Sequence, residues 1–93
     1  DESGGLIDSV TDDEIMNAYR LMATKEGIFG EPASGASLAG LINWTKKEDL
    51  SHKRVVCIVT GTGLKDPDVA VKYAQPPVEL PAELTAVEEA LGW

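Results

Sequence analysis

Between Val55 and Asp68 the chain reads VVCIVTGTGLKDPD, and no other stretch constrains the fold as much. Val55–Val59 is a run of five apolar residues, most of them β-branched, bounded by polar residues on one side and glycines on the other. That pattern predicts a strand. An apolar run with no polar alternation further predicts a strand covered on both faces, as in a parallel sheet. The run ends at Thr60 and meets Gly61 and Gly63, so the chain leaves the strand through a turn with space beside the backbone. In α/β sheets, ligands bind in crevices beyond the carboxyl ends of strands. Thr60 can therefore present its hydroxyl to a ligand; a purely structural turn is the alternative.

Two familiar phosphate-binding turns do not match. A dinucleotide fingerprint, G-x-G-x-x-G, would need glycine at position 66, where the chain has Asp66, whose carboxylate would repel a pyrophosphate. A P-loop needs Gly-x-x-x-x-Gly-Lys-Ser/Thr, and Gly61-Thr62-Gly63-Leu64-Lys65-Asp66 has neither that spacing nor the final hydroxyl.

The flanking sequence predicts helices. Thr11-Asp12-Asp13-Glu14 is a capping box with acids at the positive end of the helix dipole. Ile15, Ala18, Tyr19 and Met22 share one face, Lys25 suits the last turn, and Gly27 suits a left-handed cap. The expected helix runs over residues 12–26. A second begins near Pro32 in EPASGASLAGLINW, where Gly35, Ala36, Ala39 and Gly40 leave one side nearly bare. Glycines inside a helix cost roughly 1 kcal/mol each relative to alanine. Something must approach that side closely: a helix, a strand or a ligand. Leu6–Val10 reads as a short strand, residues 66–71 as a short helix, and residues 83–91 as a terminal helix capped at Gly92. Pro76, Pro77 and Pro81 make residues 75–82 extended or irregular.

Helices around one long and one weak strand predict an α/β fold with helices packed on a mostly parallel sheet, incomplete on its own. Residues 1–93 are expected to form one partial domain, with residues 75–93 a proline-rich connection and terminal helix. The N-terminal Asp1 further suits a cut or processed chain.

Composition excludes several functions. Sixteen acids against eight Lys and Arg give a net charge of −8, with no basic cluster, which argues against nucleic acid. No apolar run approaches the ~20 residues of a membrane span, and Asp1-Glu2-Ser3-Gly4-Gly5 lacks the positive and apolar regions expected of a secretory signal. The single cysteine, Cys57, reads as a small buried side chain in the strand and suits a reducing compartment. The lone histidine, His52, has no companion with which to form a metal site and is expected to be solvent-exposed.

Together, EGIFGEPASGASLAGL (Glu26–Leu41) and VVCIVTGTGLKDPD resemble the C-terminal signatures of the threonine synthase family. VTDDEIMNAYRLMATKEG resembles the helix leading into them, and ELTAVEEALGW resembles the family's variable tail. The resemblance covers nearly the whole chain. It implies the C-terminal portion of a large cofactor-binding domain in a pyridoxal-phosphate enzyme of the tryptophan-synthase-β fold type. It also implies a cytoplasmic lyase that converts O-phospho-L-homoserine and water to L-threonine and phosphate.

By that resemblance Thr60 bonds the pyridine nitrogen of pyridoxal 5'-phosphate, Gly61 and Gly63 shape the turn beside the ring, and Glu31 and Ser34 stand just behind. A neutral hydroxyl does not hold the nitrogen protonated as an aspartate does, so the ring is expected to be a weaker electron sink. Gly35 stands where the family usually has alanine. The family's Schiff-base lysine and phosphate-cradling loop have no counterpart here; Lys65 belongs to the Gly-Leu-Lys-Asp run and is expected to make a salt bridge or helix-end contact. The chain therefore carries no catalytic residue of its own. It is expected to be inactive alone, to hold the cofactor weakly or not at all, and to self-associate as a homodimer or by swapping. Two alternatives stay open: a fragment of a threonine dehydratase-like lyase, which the Gly-Leu-Lys-Asp continuation disfavours, and a free-standing, non-catalytic α/β interaction module.

Overall fold

A computed structural model describes residues 2–93. The first helix, α1 (Asp12–Glu26), has the expected bounds. Glu14 donates its backbone N–H to Thr11 Oγ1 at 3.2 Å, and Thr11 returns its own N–H to Glu14 Oε1 at 2.8 Å. The Thr11 amide is the largest of the contacts holding the Glu14 carboxyl below its usual pKa, with the Asn43 amide of the next helix second. At the other end Gly27 takes φ 67°, the left-handed cap that glycine adopts without strain.

A single 3₁₀ turn, Pro32–Ser34, runs directly into α2 (Gly35–Thr45). Pro32 stands at the first position of that turn, where its missing N–H is not needed. α2 packs on α1, and its bare side explains itself at one end only. A Cβ at Gly35 would stand 2.7 Å from the Ile15 carbonyl oxygen, so glycine lets the two backbones meet there. Gly40 faces open space instead. The apolar core is Ala18, Tyr19 and Met22 of α1 with Ala39 of α2.

Two further helices follow, α3 (Pro67–Tyr73) and α4 (Leu84–Leu91), the latter capped by Gly92 at φ 73°. Neither contains a buried residue.

The expected sheet is the main correction. No strand forms among the described residues, and Val55–Val59 and Leu6–Val10 pair with nothing. The only ladder contact among them is an antiparallel bridge between Gly30 and Thr62. A strand is stable only when a neighbour takes its N–H and C=O groups, and no neighbour of the right length lies within these residues. Val56 is 82% exposed and Ile58 71% exposed. Cys57 is accordingly half-buried and not in a strand.

The radius of gyration is 18.2 Å, and the surface is 7804 Å². A self-contained domain of this length would have about 12 Å and about 5200 Å². The excess is apolar as well as polar, since Ile7, Leu84 and Trp93 are also exposed. Among the described residues no helix is long and apolar enough to cross a membrane.

Candidate functional site

The bridge at Gly30 and Thr62 ties the start of the 3₁₀ turn to the glycine turn. Glu31 N–H donates to the Gly61 carbonyl and Gly63 N–H to the Phe29 carbonyl, both at 3.0 Å. These two bonds bracket the bridge and bring residues 30 and 34 positions apart in sequence into one cluster. Gly30 is needed for the closeness: a Cβ there would stand 3.2 Å from both Ser34 Cβ and Val59 Cγ1.

Ser34, at the end of the 3₁₀ turn, is the hub and is 1% exposed. Its hydroxyl oxygen accepts the Thr60 N–H at 3.0 Å and the Gly61 N–H at 3.3 Å. The Gly61 carbonyl and Thr60 Oγ1, each 3.3 Å away, are within reach of the hydroxyl proton. One buried side chain thus satisfies two backbone donors at the turn, the requirement that burial places on polar groups.

Glu31 lies beside it, with only 8% of its side chain exposed. Thr60 Oγ1 donates to Glu31 Oε1 at 2.8 Å, and Lys65 Nζ approaches Oε2 at 3.0 Å. The Thr60 hydroxyl bond, followed by the bond from Lys65, holds the Glu31 carboxyl below its usual pKa, against the opposing effect of burial. Glu31 is therefore a carboxylate with a partner on each oxygen. Lys65 makes the salt bridge that its place in the Gly-Leu-Lys-Asp run suggested.

All five residues singled out in the sequence, Thr60, Gly61, Gly63, Glu31 and Ser34, meet in this cluster. The two glycines first make room for the chain's own side chains. A Cβ at Gly61 would stand 2.8 Å from Glu31 Oε1, and one at Gly63 would overlap the Phe29 ring. Thr60 itself is exposed, while its hydroxyl is held from within by Glu31. The chemistry on offer is a fixed hydroxyl backed by a buried anion.

Sequence reading did not find Phe29 as the filler beside Gly63, or Ser37, whose hydroxyl donates to the Ile58 carbonyl at 3.2 Å. Neither carries a local motif, because both act through a segment distant in sequence. His52 lies exposed on a loop at φ 65°, and no group of three or more His, Cys, Asp or Glu that could hold a metal ion occurs among the described residues.

Comparison with known proteins gives this cluster a setting. Residues 1–61 match the family model described as "Pyridoxal-phosphate dependent enzyme". The match includes Glu31, Ser34, Thr60 and Gly61 and stops before Gly63 and Lys65. The chain is 47% identical over 94 residues to a threonine synthase of Synechocystis, covering 99% of this chain and 24% of that protein. It is 43% identical over 90 residues to a threonine synthase of Methanocaldococcus jannaschii, covering 96% of this chain and 22% of that one. A threonine synthase of Halalkalibacterium halodurans is 54% identical over 71 residues, covering 75% of this chain and 20% of the relative. The chain thus spans about a quarter of the length of these relatives or less. Joined to the Glu31–Thr60–Ser34 cluster that the family match encloses, these likenesses lead to one conclusion: the chain belongs to the family of pyridoxal-phosphate dependent enzymes.

Proposed function

We propose that this chain is the C-terminal part of a threonine synthase, the large cofactor-binding domain's last segment. The complete enzyme then converts O-phospho-L-homoserine and water to L-threonine and phosphate. The observation that carries the proposal is 47% identity to a threonine synthase across 99% of the chain, with the family match running through Thr60.

The residues fit pyridoxal 5'-phosphate at one edge. Thr60 is exposed, and its hydroxyl is oriented from behind by Glu31. In the complete enzyme Thr60 bonds the ring nitrogen, and Gly61 and Gly63 keep the turn tight enough to hold it there. Ser34 orients the turn by taking both the Thr60 and Gly61 amides. The cofactor, when bound, supplies an electron sink for the bonds broken in the substrate. This chain's part is to bind and orient the nitrogen edge of the ring; the lysine and phosphate loop come from the preceding part of the enzyme.

The same reading accounts for the exposed apolar run. Val55–Val59 becomes a central strand of a mostly parallel sheet once the rest of the domain supplies its neighbours. Alone, the chain is inactive, binds the cofactor weakly or not at all, and self-associates through that run. The test is to assay the complete polypeptide carrying this chain, loaded with pyridoxal phosphate, for phosphate and threonine release from O-phospho-L-homoserine. Threonine formation that falls at least tenfold in Thr60→Val supports the reading. Keto-acid release from threonine instead would make the protein a dehydratase-like lyase. No turnover of either substrate, with no cofactor absorbance surviving dialysis, would leave an interaction module.

A further inference from the structure

We infer that the groove on the Gly40 side of α2 seats a β-strand from the preceding part of the same polypeptide, inserted between Leu6–Val10 and Val55–Val59. This rests on the reading that the chain completes a larger enzyme, and it adds which surface closes and beside which runs.

The groove has a volume of about 360 Å³ and is lined by Leu6, Val10, Ala36, Ser37, Gly40 and Trp44. A Cβ at Gly40 would meet nothing within 4 Å, although glycine is a poor residue for a helix interior. The other glycine of α2, Gly35, is already used against α1. Two extended runs approach this one helix. Leu6–Val10 walls the groove, and Val55–Val59 is held to α2 at Ser37, whose hydroxyl donates to the Ile58 carbonyl at 3.2 Å. No backbone–backbone bond joins either run to the other, or to any third segment among the described residues.

Runs that belonged side by side would be free to pair here, since both are present, extended and against the same helix. They stay apart. The connection between them, through α1 and α2, is far longer than the dozen or so residues that join neighbouring parallel strands. A helix about 10 Å across spans about two strand spacings of about 4.8 Å, so α2 can roof a strand lying between the runs. The missing side chain of Gly40 then lets that strand approach the helix backbone. Such a strand would also take the free N–H and C=O groups that face it from both runs.

The chain holds no candidate of its own for this position. Its remaining extended stretch, residues 75–82, contains Pro76, Pro77 and Pro81, and proline cannot donate to a central ladder. The matched relatives have only 22% and 24% of their length in common with this chain, so the preceding part has ample length to supply a strand. A strand joined covalently to the chain is present at far higher effective concentration than a second copy, and it takes the groove first. Facing Leu6, Val10 and Trp44, it presents apolar side chains.

The test compares Gly40→Leu in the isolated chain and in the complete enzyme loaded with pyridoxal phosphate. In the isolated chain the urea midpoint of unfolding should hold or rise, because the side chain enters open space and leucine suits a helix. In the complete enzyme threonine formation should fall about tenfold or more and the urea midpoint should drop, because leucine intrudes where the strand lies. A complete enzyme unmoved in both readouts overturns the inference. If the variant instead abolishes self-association of the isolated chain and leaves the complete enzyme unmoved, the groove belongs to a second copy and the assignment falls. A disulfide scan does not depend on that variant. Leu6→Cys, Ile7→Cys and Asp8→Cys should each form no disulfide with Cys57 in the complete enzyme. A bridge needs Cα atoms within about 7 Å, and one intervening strand sets the runs about 10 Å apart. Ready disulfide formation at any of the three overturns the inference. If the unaltered enzyme makes no threonine, the functional reading fails, and the scan still decides whether a strand separates the runs.

Discussion

The two halves of this chain differ in how far they satisfy themselves. From Thr11 to Ala39 the helices α1 and α2 close on Ala18, Tyr19, Met22 and Ala39, and the turn at Thr60–Gly63 is tied to them by Ser34 and Glu31. From Pro67 onward α3 and α4 bury no residue, and the run at Val55–Val59 ahead of the turn pairs with nothing. Capping, helix periodicity and tight turns complete themselves within a few residues or between two helices. A strand and an amphipathic helix need a surface supplied from elsewhere. The Thr60–Gly63 cluster lies at the boundary, internally bonded on one side and exposed on the other.

Hydrogen exchange should show the contrast most strongly. In the 93-residue chain the amides of Glu31, Thr60, Gly61 and Gly63, all hydrogen-bonded, should exchange orders of magnitude more slowly than those of Val55–Val59. In the complete enzyme the difference should vanish as the run gains neighbours. Continued fast exchange of Val55–Val59 there would refute the central-strand assignment. Next in size, Met22→Ala removes a buried side chain from a four-residue core and should cost about 3 kcal/mol in urea unfolding. A loss below about 1 kcal/mol would mean that the α1–α2 interface is not a packed core. Thr11→Ala removes the cap of α1 and should cost about 1 kcal/mol.

Acid should act on the cluster before it acts on the core. The folded pKa of Glu31 is depressed, so its contribution is fully present above the unfolded carboxylate value, about 4.3, and is lost as pH falls through the lower folded value. The Thr60 amide signal should hold steady from pH 7 to 5 and move only below that range. Glu31→Gln should remove this movement, whereas Glu14→Gln, at the other lowered carboxyl on α1, should not. The smallest effect belongs to the open half. Leu84→Ala, at a residue 73% exposed, should change the stability of the isolated chain by no more than about 0.5 kcal/mol. A larger loss would mean that α4 docks on a surface, so the halves would not differ as described.

Much of the local structure was legible. Thr11 and Glu14 announced the start of α1 and Gly27 its end, because a cap is a bond between residues three apart. Pro67 opened α3 because its ring holds φ near the helical value, and Gly92 closed α4 in the left-handed conformation. The five residues of the cluster were also singled out, through the resemblance of two separate motifs to one family. Their direct bonding to one another was not, since nothing local to EPAS says that Ser34 takes two amides from a turn 26 residues later. The glycines were misread in part. Gly61 and Gly63 suggested space for a ligand, and that space is first occupied by Glu31 and Phe29.

The sequence by itself determined the helix boundaries, the breaks between them and the family, because each depends on side chains within one or two turns or on motifs carried intact. Only the tertiary structure decided that Val55–Val59 stays unpaired here, that Gly35 serves a helix–helix approach while Gly40 does not, and that Glu31 takes the Thr60 proton. Those outcomes depend on which groups meet across long separations. A strand's pairing, a glycine's neighbour and a hydroxyl's direction are all set by the partner, and the partner lies outside the motif.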